Sequence, residues 1–79
     1  MTKDVVLYKF DSCPFCLRVL SYLKGRDISI TMRDTMRDAG AKEELVSLGG
    51  KAQVPCLLID GKPLYESSDI IDWFEENWV

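Results

Sequence analysis

Four consecutive apolar residues, Val5-Val6-Leu7-Tyr8, are followed a short way on by Cys16, Val19, Leu20 and Leu23, spaced i, i+3, i+4 and i+7. A strand that is apolar on both faces has to be covered on both, and a stripe at that second spacing is the buried side of a helix. Between them, Asp11-Ser12 ends the strand, and Pro14 takes the first helical position, where its missing N–H costs nothing and its fixed φ already fits. The segment is thus a central strand handing over to a helix that packs back on the sheet.

The remainder of the chain extends this unit. Gly25 is expected to stop the first helix. Ile28, Ile30 and Met32 alternate with Ser29, Thr31 and Arg33, the pattern of a strand with one buried face. Residues 34–38 are polar and predict a loop, and Ala39 to Leu48 predicts a short helix stopped by Gly49-Gly50. Val54 to Ile59 is a second apolar run, Asp60-Gly61 signals a tight hairpin, and Leu64-Tyr65 forms the returning strand. Ser67 or Ser68 is expected to cap a last helix with Asp69 in its first turn and Ile70, Ile71, Phe74 and Trp78 on its buried side. The order is β-α-β-α-β-β-α in one domain, residues 1–79. A helix joining the first two strands makes them parallel and the hairpin makes the last two antiparallel. The fold class is therefore α/β: a four-stranded mixed sheet flanked by three helices.

Cys13 and Cys16 stand at the strand–helix junction, a place where open α/β sheets hold functional sites. Three readings of a C-x-x-C compete there: half a zinc site, a structural disulfide, or a redox pair. A structural zinc site needs four Cys or His ligands, and the chain has three Cys and no His, so no metal is expected. The N-terminus shows no charged region followed by an apolar one, so no leader is expected. No apolar stretch approaches the ~18 residues of a membrane span. An odd cysteine count without an export signal fits a reducing, cytoplasmic setting, which disfavours a persistent structural disulfide. The net charge of −3 argues against a nucleic-acid partner.

The redox reading has a physical basis in the spacing. Residues at i and i+3 of a helix have Cβ atoms about 5–6 Å apart, near enough to the ~3.8 Å of a disulfide to close and reopen without unfolding. The two thiols are not equivalent. Cys13 lies in the N-cap region, where the N–H groups of Phe15 and Cys16 lack helical partners and would stabilise a thiolate. Cys16 lies one turn in, on the apolar stripe, where burial favours the neutral thiol. Cys13 is therefore expected to attack and Cys16 to resolve. Cys56, inside an apolar run, is expected to be a buried core residue. Trp73 and Trp78 are read as packing, Glu43-Glu44 as a solvated helix face, and Tyr8 as core with its hydroxyl at the rim.

Three motifs in this order resemble the glutaredoxins, a branch of the thioredoxin superfamily: LYKFDSCPFCLRV (7–19), QVPCLLIDGKPL (53–64) and ESSDI (66–70). The resemblance implies a thioredoxin-like fold and a glutathione-dependent thiol–disulfide oxidoreductase. Cys13 and Cys16 would be its catalytic pair, with Pro14 and Phe15 completing the active-site turn. It also implies that Pro55 is cis and lies against that turn. Gln53, Val54, Glu66, Ser67, Ser68 and Asp69 would hold glutathione, its γ-glutamyl carboxylate on the free N–H groups that begin the last helix. The Glu66-Ser67 pair with Gln53-Val54-Pro55 is more similar to the N-terminal domain of glutathione transferases than to many glutaredoxins. A basic residue commonly precedes the first family cysteine by three positions; here that position is Phe10, leaving Lys9 and Lys51 as candidates for the glycine carboxylate. The implied partners are glutathione and disulfide-containing or glutathionylated proteins, with the protein acting as a monomer. Two other readings remain: a redoxin serving one protein client and reduced by a thioredoxin reductase, and a glutathione or iron–sulfur binding module with little turnover.

Overall fold

A computed structural model describes residues 4–78; the N-terminal reading over residues 1–3, and residue 79, lie outside the described residues. The elements follow the expected order: β1 (Val5–Lys9), α1 (Pro14–Gly25), β2 (Thr31–Asp34), α2 (Ala39–Gly49), β3 (Cys56–Ile59), β4 (Lys62–Tyr65) and α3 (Ser67–Asn77). They form one mixed sheet in the order β2-β1-β3-β4. β1 runs parallel to β2, with Leu7 opposite Met32, and antiparallel to β3, with Leu7 opposite Leu57. β4 is an edge strand, the position in a sheet that tolerates Pro63.

The alternation of side chains divides the interior into two layers. Val5, Leu7 and Leu57 project to one face and pack with Val19 and Leu23 of α1 and Ile70 and Phe74 of α3. Tyr8 and Cys56 project to the other face and pack with Leu45 of α2. Trp73 and Trp78 pack against the first cluster, as expected for structural aromatics. No helix among the described residues is long and apolar enough to cross a membrane.

Several boundaries differ from the sequence expectation. β2 begins at Thr31 and continues through Asp34, so that Ile28 and Ile30 pack on the core from an irregular segment and Met32 is exposed. Its parallel partnership with β1, and not its own alternation, fixes where it starts. β3 begins at Cys56, because Val54-Pro55 is a cis peptide and lies outside the ladder. Neither Ser67 nor Ser68 caps α3; the N-cap is Glu66, at φ 73° and ψ 124°, and no side chain bonds the helix start. α1 does include Gly25 as its last residue, but the left-handed turn that follows is made by Asp27, at φ 57°. Asp60-Gly61 has φ of 49° and 87°, the two positive values of a type I′ hairpin.

Glu44 is not merely a solvated residue. It accepts hydrogen bonds from the Tyr8 hydroxyl and from Arg33 Nη1, the latter at 3.0 Å, and so ties α2 to β1 and β2. Burial, then the bond to Glu44, pushes the Tyr8 phenol up to about 12.

Candidate active site

β1 ends at Lys9, and Phe10 to Ser12 turns the chain so that Cys13 becomes the N-cap of α1 with extended backbone (φ −81°, ψ 120°). The turn is closed by the Cys13 N–H donating to the Phe10 carbonyl at 3.3 Å, and the helix opens with Leu17 N–H donating to the Cys13 carbonyl at 2.9 Å. Pro14 stands at the first helical position, as the sequence requires. The Cys13 side chain makes no cap hydrogen bond. The N–H groups of the first turn are therefore not bonded to its thiol, a correction to the expected capping.

The two cysteines differ in the expected direction. Cys13 is 8% exposed and Cys16 0%, so an incoming sulfur meets Cys13 first. Burial is the main cause that pushes the Cys16 thiol up to about 12; a hydrogen bond with Cys13 adds to it, while the Phe10 backbone and the Lys9 charge work against it. Cys16 is consequently a protonated thiol over the whole physiological range. Cys56 is the third free cysteine, buried on the α2 face. Burial raises its thiol as well, opposed by its contacts with the Tyr65 hydroxyl and the Leu64 backbone.

Beside the cysteines lies a cleft of about 330 Å³. It is lined by Phe15 and Arg18 from α1, by Gln53 with the cis pair Val54-Pro55, and by Glu66, Ser67 and Ser68 at the start of α3. Phe15 and Arg18 share a helix face because they are three residues apart. The Gln53 side-chain amide donates to Glu66 Oε2 at 3.1 Å, joining two of the lining segments. Glu66 occupies a backbone region that residues with a Cβ rarely adopt, and it leaves the first N–H groups of α3 without a side-chain cap. That is an anion-binding geometry.

Six of the residues singled out in the sequence thus line one cleft together with Phe15: Gln53, Val54, Pro55, Glu66, Ser67 and Ser68. Asp69 lies exposed in the first turn of α3 and is not among the residues lining the cleft. The two lysines are engaged elsewhere. Lys9 Nζ lies 2.8 Å from Asp11 and 3.6 Å from Asp34, an arrangement that raises its pKa, first through the Asp11 hydrogen bond. Lys51 Nζ sits over the Tyr65 ring, 4.4 Å from its centroid. Arg18 also lines the cleft, a residue to which the sequence reading assigned no binding role. Its spacing of three from Phe15 is the signal that puts it on the cleft side.

The family "Glutathione S-transferase, N-terminal domain" matches residues 7–78. Maleylacetoacetate isomerase of Rattus norvegicus is 36% identical over 75 residues, covering 90% of this chain but 35% of that protein, so the chain spans about a third of that relative's length. A glutaredoxin-like 8.6 kDa protein of the rubredoxin operon of Clostridium pasteurianum is 32% identical over 57 residues, covering 72% of this chain and 76% of the relative. Among solved structures, the holo form of glutaredoxin C1 from Populus tremula x tremuloides matches with a TM-score of 0.70 at 20% identity, over 95% of this chain and 77% of that one. That likeness shows a thioredoxin-like fold.

Proposed function

Because the chain belongs to the glutathione S-transferase N-terminal-domain family, as a glutaredoxin-like protein of the thioredoxin superfamily, we propose that it is a glutathione-dependent thiol–disulfide oxidoreductase. The observation that carries this reading is the pairing of a more accessible Cys13 and a buried Cys16 beside a cleft with an uncapped helix start.

In the proposed reaction the Cys13 thiolate attacks the glutathione sulfur of a mixed disulfide. The protein–glutathione S–S bond breaks, the substrate protein leaves as a thiolate that takes up a proton, and a Cys13–glutathione disulfide forms. A second glutathione thiolate then attacks that disulfide, releasing oxidised glutathione and restoring Cys13. With a protein disulfide, Cys13 first forms a mixed disulfide with the client. Cys16 then loses its proton and displaces the client thiolate, leaving a Cys13–Cys16 disulfide that two glutathiones reduce. Exchange of this kind needs a thiolate but no histidine base. In this reading the γ-glutamyl carboxylate would take the N–H groups at Ser67 and Ser68, its ammonium would face Asp69 or Glu66, and Gln53 and the Val54 main chain would take the peptide portion; Gln53, Val54, Glu66, Ser67 and Ser68 line the cleft, and Asp69 follows in the first turn of α3. The proposal includes monomeric action in the cytoplasm, where glutathione is kept reduced.

The test is glutathione-coupled reduction of a small glutathione mixed disulfide, run beside coupling to a thioredoxin reductase. Turnover with glutathione supports the proposal. Turnover with the reductase alone overturns it in favour of a protein-client redoxin.

A further inference from the structure

We infer that the loop after β2, with Met36 and Arg37 at its centre, is the docking surface for the protein half of the substrate, recognising a client that carries an apolar side chain and a carboxylate beside its disulfide cysteine; this rests on the oxidoreductase reading above. Strand order puts this loop and the cleft on different sides of the active-site turn. At the end of β1, Tyr8 stands opposite Arg33 of β2 on one side and Cys56 of β3 on the other. β2 leads out into residues 35–38, whereas Gln53, Val54 and Pro55, which lead into β3, line the cleft. Residues 35–38 are not among those lining the cleft. The Thr35 N–H donates to the Lys9 carbonyl at 2.9 Å, and Arg37 Nη2 lies 3.4 Å from Asp11 Oδ2. The loop therefore lies against the turn that delivers Cys13.

A cleft of about 330 Å³ takes a ligand of small-molecule size. A mixed disulfide also has a protein half, which has to rest on the surface beside Cys13 that lies outside the cleft. Met36 is 73% exposed, more than any other large apolar side chain among the described residues, and a flexible thioether adapts to apolar partners of different shape. Its backbone is nevertheless fastened. Asp34 Oδ1 accepts from the Met36 N–H at 2.9 Å and the Arg37 N–H at 3.0 Å, and the Asp38 N–H donates to the Asp34 carbonyl at 2.9 Å. The loop thus presents an apolar side chain on an ordered backbone, and docking there orders little that is not ordered already. Arg37 supplies the charge. Its side chain is 80% exposed, and its contacts with Asp11 at 3.4 Å and Asp34 at 3.9 Å are longer than a charge-assisted hydrogen bond. A client carboxylate can take the guanidinium at closer range with paired donors, whereas a client cation there would be repelled.

The experiment measures kcat/KM, with glutathione as reductant, for three kinds of substrate. They are the glutathione mixed disulfide of a small thiol, a glutathionylated peptide with Leu and Glu flanking its cysteine (made in both orders), and the same peptide with Gly and Gln in those places. The wild type should favour the better Leu/Glu peptide over its Gly/Gln counterpart about tenfold. Met36→Ser and Arg37→Gln should each remove about threefold of that preference, and Arg37→Lys should keep part of it. These side chains face solvent, so the variants retain the fold, checked by thermal melting. The small mixed disulfide has no peptide half and should be turned over as in the wild type. A wild type indifferent to the flanking residues, a preference unchanged in Met36→Ser and Arg37→Gln, or variants that slow the small substrate and the peptides alike would each overturn the docking assignment and leave the oxidoreductase reading standing. A wild type that turns over none of the substrates overturns both readings together.

Discussion

Cys56 and Cys16 are both fully buried, yet they lie on opposite sides of the sheet. Cys56 projects with Tyr8 toward Leu45 of α2, while Cys16 belongs to α1, whose Val19 and Leu23 pack on Leu7 and Leu57 of the other face. Strand alternation enforces the separation: Cys56 pairs with Tyr8, and the next residue, Leu57, points the other way. Oxidation of the native protein should therefore give a Cys13–Cys16 disulfide and leave Cys56 free. Peptide mapping by mass spectrometry checks this, and a substantial Cys56-containing disulfide would contradict the two-faced arrangement.

Gly49 is expected to resist enlargement. The Tyr65 hydroxyl donates to the Gly49 carbonyl at 3.1 Å, and a Cβ added at Gly49 would fall on that hydroxyl. Gly49→Ala must displace Tyr65 from the end of α2 and from its contact with Cys56. Overpacking of this kind costs about 1–3 kcal/mol, and each kcal/mol lowers Tm by about 4–8 °C in a domain of this size. A melt unchanged from wild type would show that Tyr65 swings away freely. In the double variant Gly49→Ala, Tyr65→Phe, loss of the hydroxyl should recover much of the deficit.

The order of elements was legible because it rests on local chemistry. Pro14 starts α1, Asp60-Gly61 makes the hairpin, and the Val19–Leu23 stripe faces the core whatever surrounds it. Where the sequence expectation failed, a distant residue decides. The extent of β2 is set by β1 beside it, and the role of Glu44 by Tyr8, thirty-six positions away along the chain. The capping expectation at Ser67 failed because Glu66 takes the cap position in a backbone conformation that residue preferences do not anticipate. Lys9 looked available as a ligand cation until Asp34, brought alongside by the parallel pairing of β1 with β2, joined Asp11 around it.

Asp34 should govern part of the acid limb of stability. Burial alone would raise its pKa, but N–H bonds from Arg37 at 3.0 Å and Met36 at 2.9 Å, together with Lys9, hold its carboxyl below the usual range. A group whose pKa is lower folded than unfolded contributes stability above its unfolded value, about 3.9 for Asp, and loses it as pH falls through the folded value. Asp34→Asn should thus lower Tm at neutral pH, with the deficit shrinking as pH drops below about 4. A deficit that stays constant down to pH 2 would mean that hydrogen-bond geometry, not charge, is what the substitution removes.

Cys16→Ser separates the two branches of the proposed chemistry. Because burial pushes the Cys16 thiol up to about 12, it stays protonated at pH 8 and is a poor attacker of outside disulfides. Its use is internal: once a client is linked to Cys13, the resolving sulfur is already adjacent, and proximity compensates for the small thiolate fraction. Removing it should cost reduction of protein disulfides at least ~100-fold. Reduction of glutathione mixed disulfides should persist within a few-fold, since free glutathione resolves the Cys13 intermediate from the cleft side. Cys13→Ser should abolish both. Neutral-pH alkylation supplies an independent readout, with label expected on Cys13 and none on Cys16 in the folded protein. A Cys16→Ser variant inactive on a glutathionylated peptide, while folded and still alkylated at Cys13, would show that the buried thiol is needed in every turnover and would favour a dithiol redoxin.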